Sequence, residues 1–188
     1  MPWVTTILPS VATGDLKALY DAIGAARHGV ADVHLAQSLH PRALRAHFDL
    51  YRAVVLSSRP LSRVSRERIA VVVSAANRCR YCIAHHTEAL RQLGDPLFGA
   101  VAAFGDDTPV EPWGAAEHAL LSWTRRLALT PSSAQQGDVE SLRASGWSDD
   151  AIVDAALTAA YFSFVNRLVL GLGVEVESDF EQTCGDGT

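Results

Sequence analysis

The sequence is short of cysteine, of basic residues and of long apolar runs, and each shortage removes a class of protein. Three cysteines in 188 residues are too few, and odd in number, for the disulfide framework of a small secreted domain. Sixteen Lys and Arg against 21 Asp and Glu give a formal charge of −5, so no basic face is expected for nucleic-acid backbones. The most continuous apolar stretch, Ile69 to Val73, stops at Ser74, far short of the roughly 20 residues that span a bilayer. The run Met1-Pro2-Trp3-Val4-Thr5-Thr6-Ile7 lacks the basic start and apolar core of a secretory signal. Apolar and polar residues alternate only in Val174-Glu175-Val176-Glu177, too briefly for a sheet. These absences predict a cytoplasmic protein with no membrane and no nucleic-acid partner.

What the sequence has is helix. Alanine, the strongest helix former, occurs 29 times. Leu16, Leu19, Tyr20 and Ile23 recur at helical steps after Thr13-Gly14-Asp15. Pro41 suits a first helical position, with Leu44, Phe48, Tyr51, Val54 and Val55 as the apolar face that follows. Ser62 caps a segment to about Asn77, and a second helix runs from about Arg80 to Leu93, stopped by Gly94. Further helices are expected over 97–104, from Pro112 to before Thr130-Pro131, and from Asp138 to Ala144. Ser148 starts the last, to about Leu170, which is apolar on most of its circumference. The reading is one all-α domain over 1–188, with an extended, loosely held tail from about 174.

Chemistry concentrates in residues 67–86. At about 100° per residue, with Cys79 at 0°, Cys82 falls near −60° and His86 near −20°, within one sector. His85 falls near −120°, on the outer side. Cys79 sits at or beside the helix start, where free N–H groups favour a thiolate. An imidazole on the same face can take the thiol proton. Two other readings of Cys-x-x-Cys stay open here: small buried hydrophobes, or zinc ligands joined by Glu67 or His85. A thioredoxin fold is excluded because its motif needs a β-α-β context. Glu67, in Ser65-Arg66-Glu67-Arg68, can equally be a solvated partner of Arg63 or Arg68. His28, His34, His40, His47 and His118 read as surface or capping residues.

The run from Glu67 to His86, Glu-Arg-Ile-Ala-Val-Val-Val-Ser-Ala-Ala-Asn-Arg-Cys-Arg-Tyr-Cys-Ile-Ala-His-His, resembles the core signature of the AhpD-like alkylhydroperoxidases. These belong to the carboxymuconolactone decarboxylase superfamily. Ser-Ala-Ala-Asn before the first cysteine and His-His after the second resemble its peroxidase-related branch. Tyr161-Phe162-Ser163-Phe164-Val165-Asn166-Arg167 and Leu172-Gly173-Val174 fit the same branch. The resemblance implies an AhpD-like helical bundle and a thiol-dependent peroxide reductase. In that pattern Cys82 is the peroxidatic cysteine, Cys79 the resolving one, His86 the relay histidine and Glu67 its carboxylate.

Tyr81 departs from the pattern, since the best-studied members carry histidine there. A phenol is no base near neutral pH, so Tyr81 and His85 are expected as accessory groups only. The resemblance implies no flavin, haem or required metal. It implies a thioredoxin-like or lipoyl-protein reductant, and a homo-oligomer that covers part of the last helix. Lactone decarboxylation is not expected, because those members do not depend on the cysteine pair. The competing classes are a noncatalytic redox-sensing module and a metal-binding helical protein.

Overall fold

A computed structural model of the chain describes residues 2–27 and 29–183. Among them there is no strand. The helices are α1 (Gly14–Arg27), α2 (Asp32–Leu35), α3 (Pro41–Tyr51), α4 (Arg63–Ala76), α5 (Arg80–Gln92), α6 (Ala115–Leu129), α7 (Gln136–Ala144), α8 (Asp149–Leu172) and α9 (Phe180–Thr183). The all-α expectation holds.

The core is built around α4. Ile69, Ala70, Val71, Val72 and Val73 are all fully buried, because α5, α6 and α8 pack around that helix. Three consecutive valines are weak helix formers, so burial on all sides decides the conformation here. Ser62 caps α4, its Oγ accepting from the Ser65 N–H at 3.0 Å. Across the core lies α8, 24 residues long. By length and composition alone it could cross a membrane, yet its buried polar groups are partnered within the fold. Asp154 meets Arg59 and Asn166 meets Ser74 and Asn77. Its outer face leaves Val153, Leu157, Phe164 and Leu170 exposed.

Several expectations need correction. No helix spans 97–104; only one 3-10 turn, Val101–Ala103, forms there. Pro112 does not open α6, which begins at Ala115 behind Gly114, whose φ of 80° turns the chain. After α3 the helix widens into a π turn, Arg52–Leu56, closed by the Ser57 N–H on Arg52 O at 2.9 Å. The widened turn offers the Val54 carbonyl to Arg66 Nη1 at 3.2 Å. Residues 174–177 have no regular structure, and a helical turn, α9, follows at Phe180. This segment is not loosely held, because Val174 is buried and Glu177 is bonded into the body of the fold.

Gly173 ends α8 in the left-handed region at φ 63°, and the Val174 N–H returns to Val169 O at 2.9 Å. The Trp3 ring lies where a Cβ on Gly173 would stand, 2.1 Å from its nearest atom. Gly173→Ala should therefore destabilise the fold by at least about 1–2 kcal/mol, the left-handed cost of an L side chain, with displacement of the Trp3 ring in addition. Trp3→Ala in the same chain should relieve only the overlap and leave the left-handed cost. Urea unfolding of the single and double variants reads both effects.

Candidate active site

The corner between α4 and α5 positions the two sulfurs. Asn77 ends α4, and Arg78 adopts the left-handed conformation at φ 58°. The Arg78 N–H bonds to Ala75 O at 3.0 Å and the Cys79 N–H to Ser74 O at 2.8 Å. This is a Schellman closure made without glycine. Cys79 is thus the last residue of one helix terminus and the N-cap of the next. Cys82 follows one turn later on α5. Both are free thiols; Cys79 is fully buried and Cys82 is 2% exposed.

The two thiols titrate as a pair in opposite directions. Cys79 is lowered, first by a hydrogen bond from Cys82, then by the Cys82 and Tyr81 backbone N–H groups and the Asn166 amide against the cost of burial. Cys82 is pushed well above the usual thiol range by its bond to Cys79, by burial and by charge on Cys79. The Asn166 amide and the Ser74 hydroxyl oppose that rise. The first proton to leave the pair is therefore that of Cys79, while Cys82 is the sulfur that faces the cavity.

Glu67 and His86, 19 residues apart, meet across the α4–α5 contact. His86 Nδ1 donates to Glu67 Oε2 at 2.6 Å. That bond keeps the proton on Nδ1 and leaves Nε2 as an acceptor. The ring is further fixed edge-on by Phe162, centroid to centroid 4.5 Å. Arg63 Nε donates to Glu67 Oε1 at 2.7 Å. Burial pushes the Glu67 carboxyl up, but the charge and hydrogen bonds of His86 and Arg63 outweigh it and hold the pKa at about 2. The solvated reading of 65–68 is overturned: Ser65, Arg66 and Glu67 are buried. Arg68 forms a two-pronged bond to Asp95 at 2.9 and 2.6 Å.

A cavity of about 40 Å³ opens above Cys82, walled by Val33, Tyr51, His85, His86 and Phe162 among others. Tyr81 and His85 also line it, but their polar ends turn to Glu177. Tyr81 Oη donates to Glu177 Oε1 and His85 Nε2 lies by Oε2, each at 2.9 Å. The same carboxylate accepts the Asp32 N–H at 2.6 Å. Burial and the Glu177 charge push the Tyr81 phenol well above its ordinary range, so it stays protonated. His34 and His47, read as surface or capping residues, are both buried in the cavity wall. His40 does cap α3, accepting from the Ala43 N–H at 3.2 Å. His28 and Cys184 lie outside the described residues. Among the described residues no three His, Cys, Asp or Glu side chains form a group suited to a metal ion.

The sequence pattern of the carboxymuconolactone decarboxylase family matches residues 41–125, which carry both cysteines, Glu67 and His86. An AhpD-core, peroxidase-related protein from Ralstonia eutropha JMP134 superposes with a TM-score of 0.84 at 25% identity, covering 97% of this chain and 96% of that one. Residues 41–125 thus carry the pattern of the carboxymuconolactone decarboxylase family, and the fold of the chain is AhpD-like. A second peroxidase-related protein, from Silicibacter sp. TM1040, gives a TM-score of 0.78 at 27% identity, covering 90% of this chain and 88% of its own. The same fold occurs in the debrominase Bmp8, solved with 2,3,4-tribromopyrrole, at 18% identity and a TM-score of 0.75 over 96% of this chain and 94% of that one. No curated protein matches the sequence.

The AhpD-like corner draws on residues that helix periodicity alone does not single out. Asn166 is fully buried and donates to Ser74 Oγ at 3.0 Å while also reaching the sulfurs. Beyond its place in the 161–167 segment of the resemblance, its sequence signal is an amide on a helix with no polar face. Glu177 carried no signal, because its partners are between 92 and 145 positions earlier in the chain.

The depressed Glu67 carboxyl gives a signed pH dependence. A pKa lowered from 4.5 to about 2 contributes stability that is complete above pH 4.5 and lost as pH falls towards 2. The contribution at neutral pH is roughly 3 kcal/mol. Glu67→Gln should be less stable at pH 7 and should lose stability less steeply between about pH 4.5 and 2. Urea unfolding at a series of pH values measures both.

Proposed function

We propose that this protein is a thiol-dependent peroxide reductase working through a Cys79–Cys82 dithiol/disulfide cycle. The observation that carries the reading is the buried dithiol at the start of α5, under a cavity whose wall includes the His86 ring held by Glu67.

The cycle starts when the dithiol gives one proton to His86, whose cation Glu67 stabilises. One proton then remains between the two sulfurs. Its movement onto Cys79 frees the Cys82 thiolate, the sulfur open to the cavity. That thiolate attacks the peroxide, forming a sulfur–oxygen bond as the O–O bond breaks, and the departing oxygen leaves protonated. Cys79 then attacks the Cys82 sulfenic acid, forming the disulfide and expelling water. Dithiol plus hydroperoxide become disulfide, alcohol and water. A thioredoxin-like or lipoyl-protein dithiol closes the cycle. A cytoplasmic location fits a cycle that needs such reductants.

Reduced protein given one equivalent of peroxide should protect two thiols per chain from alkylation, with Cys184 still labelled. Intact mass reads this directly, and consumption of Cys184 instead would defeat the assignment. Cys82→Ser should abolish peroxide consumption, whereas Cys79→Ser should stop at a sulfenic acid that dimedone traps. Reversed outcomes would exchange the two roles.

The protein is also proposed to be a homo-oligomer. The support is the apolar row Val153, Leu157 and Phe164 left exposed on one face of α8, a pattern that marks contact surfaces. Light scattering at micromolar concentration should give a mass above the 20.2 kDa of one chain. A fully active monomer would remove the claim.

A further inference from the structure

The wall of the cavity carries a second polar device. His47, from α3, is buried and lies among Tyr51, Tyr161 and Phe164, so it is a polar ring in an aromatic setting. Gln37 Nε2 stands 2.8 Å from Val33 O and 2.8 Å from His47 Nδ1, while its amide oxygen is farther from that nitrogen, at 3.1 Å. The two amide hydrogens therefore go to Val33 O and His47 Nδ1. This makes Nδ1 an acceptor and leaves the ring proton on Nε2. His47 Nε2 is 2.8 Å from Tyr161 Oη, so the neutral ring donates to the phenol oxygen. Burial lowers the His47 pKa to about 4, in agreement with a neutral ring. The chain Gln37, His47, Tyr161 brings a phenol to the wall of the same small cavity as Cys82.

We propose that Tyr161, oriented by His47 and Gln37, is a further catalytic residue that binds the leaving oxygen of the substrate and donates a proton to it. The proposal rests on the peroxide-reductase reading. As the Cys82 thiolate pair forms the S–O bond, the O–O pair passes to the leaving oxygen, which takes the Tyr161 proton. The phenolate left behind accepts from His47 Nε2–H. It regains its proton from the His86 imidazolium, so the step converts thiol and hydroperoxide to sulfenic acid and alcohol. A neutral donor suits this place, because hydroxide and alkoxide leave far more easily as water or alcohol.

A cavity of about 40 Å³ exceeds the roughly 10–15 Å³ needed to hold one water but remains small. The natural test therefore uses two small peroxides that differ in leaving group. Hydrogen peroxide must release hydroxide and needs the proton. Peracetic acid releases acetate, a weak base that leaves without one.

The experiment is a single-turnover stopped-flow measurement on the reduced full chain, with each oxidant alone. Tyr161→Phe should slow hydrogen peroxide by about 100-fold and peracetic acid by no more than about 3-fold. His47→Gln should show the same selectivity with a smaller loss. Iodoacetamide alkylation of Cys82, which needs no acid, checks that the thiol is undisturbed and should change little in either variant. Equal losses for both oxidants, or none for hydrogen peroxide, would overturn the proposal for Tyr161 alone. A wild-type dithiol inert to both oxidants would overturn the reductase reading and this proposal with it.

Discussion

The six-residue closure from Ser74 to Cys79 is the constraint on which the site depends. An L-residue in the left-handed region costs about 1–2 kcal/mol, and the fold accepts that at Arg78. In return the Cys79 N–H is tied to Ser74 O and its side chain stands at the open end of α5. Tyr81 and Cys82 then direct backbone N–H groups at the Cys79 sulfur. The acidity of Cys79 thus comes first from the Cys82 thiol, with backbone direction adding to it, while Cys82 is held up by its bond to Cys79 and by burial. Moving the turn by one residue would rotate Cys82 by about 100° on α5 and point it away from the cavity.

A buried carboxylate is the second dependency. Glu67 has no exposed surface, and an unpaired charge there would be strongly destabilising. Arg63, one helical turn earlier, and His86 on the next helix occupy both oxygens. The same pairing that makes the charge tolerable also fixes the tautomer of His86. Structure and chemistry therefore share one set of hydrogen bonds.

The sequence made α4, α7 and α8 legible because each start is marked by a cap or acidic turn, and α5 because Gly94 marks its end. The angular relation of Cys79, Cys82 and His86 was legible for the same reason, since one helix carries all three. What crosses between helices was not. Glu67 reaches His86 only through tertiary packing, and the resemblance to known sequences supplied that pairing in advance. His47 looked like a surface histidine because nothing within α3 reveals that Tyr161 on α8 faces it. Glu177 followed the glycine stop of α8 at the end of a four-residue alternation that points to no partner, so its bonds to Tyr81 and His85 had no local signature. The segment at 97–104 misled in the opposite sense: its composition suits a helix, but Asp95 and Gly105 bond within turns of their own.

The size of the cavity separates the two halves of any disulfide cycle run here. A small oxidant can meet Cys82 through about 40 Å³ of space, whereas an incoming thiolate must approach a disulfide sulfur in line with the S–S axis. Neither cysteine offers appreciable surface for that approach. Glu177 pins the chain after α8 onto Tyr81, His85 and the start of α2, in a single carboxylate with three partners. In the proposed cycle, oxidation would proceed with those partners in place, whereas re-reduction by a protein carrier would require them to part. The oxidised form of that cycle would be insulated from casual thiols in proportion to how firmly one glutamate holds the roof.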